Sequence, residues 1–305
     1  MRPFARVVLV VLLACAFLAG CRSAPAPPPA VTPGPAVVPP PAPPKIGVAL
    51  GAGGARGFAQ VGVLRVLEQE HIPIHCVAGA SVGSLIGALY ADKASVLDLE
   101  FEAIEITREH IFDRSLLSVF SGGFVKGERL EEYLTRRLLH PQIEDMPIRF
   151  AAVATDLRSG GTVAFEKGPA AVAVHASCAI PGVFVPVTIG DRVYVDGGVT
   201  DPVPADVARR MGADVVIAVP IPAGVPPEPP TTPLAVAYHS VNVMAAEIAR
   251  LRASEADVVI TPDVGNVAYD DFDQKKRLIR SGEAAARAAL PQIRAAIAAA
   301  RTSGS

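Results

Sequence analysis

The chain has 305 residues, a formal charge of −2 and apolar side chains at half of its positions. That is enough to bury the core of one large domain. The near-neutral balance excludes a basic nucleic-acid binder, and no partner protein can be named from it.

Not all of the apolar content belongs to a fold. Arg2 and Arg6 precede the apolar run Val7 to Phe17 and the stretch "LAGC". A charged start, a short hydrophobic segment and small residues make a secretory leader over residues 1–20, too short to span a bilayer comfortably as a mature helix. Leu18-Ala19-Gly20-Cys21 resembles the bacterial lipobox, in which cleavage exposes a cysteine for lipidation. Lipid chains on Cys21 would hold the protein at a membrane, at about 0.8 kcal/mol per buried methylene. In a diderm bacterium, Arg22 rather than aspartate in the next place points to the periplasm-facing outer membrane. Export also means an oxidising compartment. Cys76 and Cys178, the cysteines of the folded part, have apolar, small-residue surroundings, so they are expected as buried free thiols.

Residues 21–44 form a spacer. Eleven of the twenty residues from Pro25 to Pro44 are proline, and at about 3.1 Å per residue an extended run of this kind reaches roughly 60 Å. The domain is expected over residues 45–305. "KIGVAL" reads as a buried strand, "GFAQVGVLRVLEQEH" as a helix carrying Phe58, Val61, Leu64 and Leu67 at helical spacing, and "IHCVAGA" as a strand feeding a helix from Val82 to Tyr90. Helices follow at about Ser95–Arg108 and Lys126–Leu139, then strands at "RFAAVATDL", "GTVAF" and "RVYVDGG". A helix near Pro204–Met211, the strand "ADVVIAV", a helix around Ala235–Ser254, the strand "ADVVITP" and an Ala-rich tail helix complete the pattern. This alternation predicts an α/β fold with a mostly parallel sheet covered on both faces. "AGVPPEPPTTP", Ala223 to Pro233, reads as an excursion at the sheet's rim. "SLLSVFSGGF", Ser115 to Phe124, is expected to pack on the body rather than to act as a mobile cover.

Gly79, Ala80, Ser81, Val82 and Gly83 fit Gly-x-Ser-x-Gly at a strand-to-helix junction. Such a turn strains the serine backbone and presents its hydroxyl at a helix N-terminus, where developing negative charge is favoured. A second junction, "LGAGGARG", fails as a dinucleotide fingerprint, because counting from Gly51 and Gly53 the third glycine place is Arg56. Gly53 and Gly54 can instead turn consecutive amides toward an oxyanion, with Arg56 steadying the loop. The six histidines, His71, His75, His110, His140, His175 and His239, include none in an obvious catalytic setting; His175 is the best of them. Asp196 closes a strand before Gly197 and Gly198, so its carboxylate can stand at the sheet edge where Ser81 emerges. A solvated aspartate is a weak base, so this role demands desolvation and a direct hydrogen bond. Asp156 is expected to be structural, and "YDDFDQKKRLIR" reads as a solvated helix start. No Cys/His cluster has zinc spacing, and neither metal nor cofactor is expected.

Taken in order, Gly53-Gly54-Ala55-Arg56-Gly57, Gly79-Ala80-Ser81-Val82-Gly83 and Asp196-Gly197-Gly198 resemble the three signatures of the patatin-like phospholipases. "ATDLRSGGTVAF" and "SCAIPGVFVPV" match as well, and the resemblance covers about Lys45 to Ile217. It implies a three-layer α/β/α sandwich and a Ser-Asp dyad without histidine that cleaves phospholipid or lysophospholipid esters through an acyl-enzyme. It makes Ser81 the nucleophile, Asp196 the base, and Gly53, Gly54, Ala55 and Arg56 the oxyanion loop. The family usually has glycine where this chain has Ala52. Two other readings stand beside it: a histidine-dependent serine esterase, and a non-catalytic lipoprotein module on the same fold.

Overall fold

The computed structural model describes residues 43–112, 125–222 and 231–303. The leader, Cys21, nearly all of the proline-rich spacer, the Ser115–Phe124 stretch and most of Ala223–Pro233 lie outside the described residues.

In chain order the elements are β1 (Ile46–Leu50), a 3-10 turn (Gly54–Phe58) running into α1 (Ala59–Gln69), β2 (Ile74–Ala80), α2 (Val82–Lys93), α3 (Val96–Glu105), α4 (Arg108–Ile111), α5 (Glu128–Arg137), β3 (Arg149–Asp156), β4 (Thr162–Phe165), α6 (Ala170–Ser177), β5 (Val187–Ile189), β6 (Arg192–Asp196), α7 (Ala205–Arg210), β7 (Val215–Val219), α8 (Pro233–Ala253), β8 (Val258–Val259) and α9 (Lys275–Ser303). The helix expected over Ser95–Arg108 is two helices. Its apolar spacing continues across the break, but Ile106 is extended and Thr107 starts a new helix, with His110 Nδ1 accepting the Thr107 N–H at 3.0 Å. The strand expected at "ADVVITP" shortens to the two residues that pair with β7. β5 carries too short an apolar run to be read from sequence.

Parallel pairing joins β1 to β2 and β7, β2 to β3, and β7 to β8, whereas β4, β5 and β6 pair antiparallel. Along β1, Ile46, Val48 and Leu50 face a core of large aliphatic and aromatic side chains shared with α1, α2, α6 and α9. Ala49 faces the other side, with Ala78, Ala80, Ala151, Val153 and Ala218, against Ala205, Val207 and Ala208 of α7. Period-two alternation thus gives each face its own helical layer, and small residues line the face on which the short helix α7 lies close.

The register around β3 positions the site. β4 pairs with β3 from Ala152 to Thr155 and therefore takes one whole edge there. β2 and β6 share the other edge end to end: Ala80 lies opposite Val153, and Asp196 lies opposite Ala154, the next residue. Two strands running toward each other on one edge bring the residue after Ala80 face to face with Asp196.

Candidate active site

Ser81 is where β2 stops and α2 starts. Its backbone is at φ 55° and ψ −126°, a conformation that costs a side-chain-bearing residue of order 1–3 kcal/mol and recurs at functional turns. The turn leaves its flanks no room: a Cβ at Gly79 would stand 2.3 Å from the Gly83 carbonyl oxygen, and one at Gly83 2.1 Å from that of Leu50. Ser177 holds the turn from α6. Its Oγ accepts the Ser81 N–H at 3.0 Å and donates to the Val153 carbonyl at 2.5 Å. Ser177 opens the matching stretch "SCAIPGVFVPV", but the sequence assigned it no role of its own.

The Ser81 hydroxyl donates to Asp196 Oδ2 at 2.6 Å, and both residues are buried, 3% and 5% exposed. The other carboxylate oxygen accepts the Gly198 N–H at 2.7 Å. The aspartate backbone is fixed by its own N–H to the Ala179 carbonyl at 2.9 Å and by Thr155 Oγ1 donating to its carbonyl at 3.0 Å. Gly197 lies so close to the Val153 carbonyl that a Cβ would come within 2.1 Å. Burial pushes the carboxyl pKa up to about 6, against the lowering effect of the Ser81 and Gly198 hydrogen bonds. Above that pH the group is ionised, desolvated and aimed at one hydroxyl proton, a stronger base than a solvated aspartate.

The glycine loop follows β1 on the same sheet edge. Gly51, Ala52 and Ala55 spend their N–H groups on the carbonyls of Val219, Pro202 and Tyr269. The N–H groups of Gly53 and Gly54 meet no protein acceptor among the described residues, and Gly54 lines one pocket with Ser81. Ala55 is therefore corrected as an oxyanion donor: its amide is committed to Tyr269 at 2.7 Å. Arg56 braces the loop, its Nε donating to the Gly53 carbonyl at 3.1 Å and its guanidinium lying 5.6 Å from the centre of the Tyr269 ring. Gly57 is pressed against Val82, where a Cβ would be 2.3 Å from a methyl carbon. The Ala52 methyl faces Gly198: a Cβ on Gly198 would lie 3.2 Å from it.

The pocket that opens on Ser81 is apolar, walled by Phe58, Leu85, Ile111, Phe112, Leu130, Ile180, Phe184, Tyr269 and Phe272. Cys178 lines it too, but burial and then the nearby Asp196 charge push its thiol far up, so it stays protonated and no rival nucleophile. Cys76 and Cys178 are both buried free thiols.

The segment "YDDFDQKKRLIR" departs from its sequence reading. Tyr269 and Phe272 are pocket wall, Asp270 pairs with Arg108 at 3.3 Å, and only Asp271, accepting the Asp273 N–H, behaves as a helix-start cap. Asp156 is structural as expected: Oδ1 accepts the N–H groups of Arg158 and Ser159, Oδ2 meets Arg192, and these hold its pKa down. His75 lies inside β2. His175 is buried with Nδ1 against Glu131, and His140 bonds Asp92; among the described residues no histidine is hydrogen-bonded to Ser81. Among the described residues, no group of three or more His, Cys, Asp or Glu could hold a metal ion, and no helix is long and apolar enough to cross a membrane.

A family model described as patatin-like phospholipase matches residues 48–209, a span that takes in the glycine loop, the Ser81 turn and Asp196. The chain belongs to the patatin-like phospholipase family. An uncharacterized NTE family protein of Mycobacterium bovis is 38% identical to this family member over 179 residues, 58% of this chain and 49% of its own. Patatin-like phospholipase domain-containing protein 7 of Rattus norvegicus is 34% identical over 185 residues, 57% of this chain and 13% of its own. Lysophospholipase nte1 of Aspergillus niger is 31% identical over 195 residues, 57% and 12%. The chain spans about half the length, or less, of these curated relatives. The crystal structure of VipD from Legionella pneumophila shares the fold at a TM-score of 0.50 and 13% identity, over 82% of this chain and 67% of that one.

Proposed function

We propose that this patatin-like protein is a lipid acyl hydrolase that cleaves carboxylic esters of phospholipids or lysophospholipids. The observation that carries the reading is the 2.6 Å hydrogen bond from Ser81 Oγ to a buried Asp196 carboxylate. In the first half-reaction Asp196 takes the hydroxyl proton while Oγ attacks the ester carbonyl. The oxyanion that forms is met by the amides of Gly53 and Gly54, which have no protein acceptor among the described residues, and one such donor is worth about 3–4 kcal/mol to a transition state. Collapse breaks the bond to the alcohol, which leaves with the proton returned by Asp196, and an acyl group remains on Ser81. Water then attacks the acyl-enzyme, Asp196 takes its proton, and the acid is released as Ser81 recovers its hydrogen. The apolar wall suits a fatty acyl chain, because it offers burial without competing polar partners.

A lysophospholipase among the relatives supports this substrate class. Lipidated Cys21 and the spacer would keep the domain beside its substrate, at the periplasmic face of an outer membrane.

The test is incubation of purified wild type, Ser81→Ala and Asp196→Asn with a mixed lipid extract, reading released fatty acids by mass. Fatty acid released by wild type and by neither variant supports the reading; equal release by all three, or by none, overturns it. Labelling with a fatty-acid analogue that is lost in Cys21→Ala tests the anchor.

A further inference from the structure

Part of the pocket comes from outside residues 48–209. Tyr269 and Phe272, just ahead of α9, line it beside Ser81. Helix packing explains how a segment so distant in sequence arrives there. Gly62 of α1 and Gly282 of α9 let the two backbones touch: a Cβ on Gly62 would lie 1.9 Å from the Ile279 carbonyl oxygen, and one on Gly282 1.8 Å from that of Ala59. That crossing sets the residues leading into α9 directly over the glycine loop. Asp270 paired with Arg108, and Lys275 Nζ donating to the carbonyls of Ile104 and Ile106, pin the segment in place.

From there Tyr269 reaches three consecutive loop residues. Its carbonyl accepts the Ala55 N–H at 2.7 Å. Its ring is laid against Gly54, which sits at φ +59°, so closely that a Cβ there would be 2.7 Å from Cδ1 and Cε1. The same ring lies 5.6 Å from the Arg56 guanidinium carbon, and Arg56 Nε holds the Gly53 carbonyl at 3.1 Å. Two adjacent glycines have wide backbone freedom of their own. Oxyanion donors work only if they are fixed before charge develops.

We propose that Tyr269 is a positioning residue for the oxyanion loop: its aromatic face, packed on Gly54 and under Arg56, keeps the Gly53 and Gly54 amides aimed into the pocket beside Ser81. The proposal rests on the acyl-hydrolase reading. Substitution leaves the carbonyl bond to Ala55 available and removes the face, so the face is what mutation tests.

Steady-state hydrolysis of a soluble fatty-acyl ester should show Tyr269→Ala losing ten- to hundredfold in kcat and equally in kcat/KM, with KM within about threefold, since the lost interaction belongs to the transition state. Tyr269→Phe, which restores the flat face, should recover most of that loss. Tyr269→Leu, which fills space without a planar surface, should behave like alanine and serves as the probe if Tyr269→Ala does not fold. A folded alanine or leucine variant with kcat within twofold of wild type overturns the proposal, as does a loss confined to KM or one that phenylalanine does not repair. Wild type lacking any Ser81-dependent hydrolysis would overturn the acyl-hydrolase reading instead, so the two failures are distinguishable.

Discussion

Replacing Asp196 with asparagine should make the protein more stable and inactive at once. In the folded state burial holds the Asp196 pKa up at about 6, against 3.8 for the unperturbed group. The native state therefore binds this proton more tightly than the unfolded chain does. Its stability falls as pH rises through the window between those two values, and above about pH 6 the full penalty is present. A gap of roughly two units at 1.36 kcal/mol each makes that penalty about 3 kcal/mol. Asparagine carries no charge to desolvate. It can still accept the Gly198 N–H through Oδ1, now made at 2.7 Å, and its amide can donate to Ser81 Oγ in place of the 2.6 Å bond. The expected result is a gain of about 2–3 kcal/mol at pH 8 that shrinks to about half a kcal/mol near pH 4, together with a loss of hydrolysis of about a thousandfold or more. Urea unfolding of both proteins at the two pH values, with turnover measured on the same preparations, checks it. A variant equally or less stable at pH 8 with unchanged m, or one that retains a tenth of wild-type turnover, would refute the reasoning.

The same ionisation sets a pH profile: kcat/KM should climb about tenfold per unit below pH 6 and level off above it, as a base that must be ionised requires; a profile flat down to pH 5 would contradict it. Ser177→Ala should lower stability by about 2–3 kcal/mol in urea unfolding, because it strands the buried Ser81 N–H and Val153 carbonyl, and should reduce turnover at least tenfold by loosening the Ser81 turn. His175→Ala should keep Ser81-dependent hydrolysis within about tenfold of wild type, since His175 is engaged by Glu131; abolished turnover in a folded variant would restore the histidine-dependent reading.

What could be read from the sequence is what short-range geometry dictates. The Ser81 turn announces itself because Gly79 and Gly83 meet backbone only a few residues away, or at the next strand's end, and no larger residue fits. Asp196 is legible for a related reason: a strand that ends in aspartate and two glycines must leave the sheet abruptly. The end-to-end arrangement of β2 and β6 on one edge of β3 is a matter of register, which no local pattern records. Ser177 stands at the head of the matching stretch "SCAIPGVFVPV", but its role is hidden because it ends an apolar helix and acts on Val153 and Ser81, each distant in sequence. Tyr269 and Phe272 were obscured by their acidic and basic neighbours, which read as a solvated helix start. Their place in the pocket comes from the crossing of α1 and α9 at Gly62 and Gly282. Ala55 shows the opposite error, since a signature position fits the loop while its amide is bonded elsewhere.

The direct measurement of the central claim is the site and rate of modification by a fluorophosphonate ester, followed by peptide mass. Activation of Ser81 by Asp196 alone predicts a single adduct on the peptide bearing Ser81, absent in Ser81→Ala and formed at least a hundredfold more slowly in Asp196→Asn. An adduct on any other residue, or undiminished labelling of the asparagine variant, would contradict it.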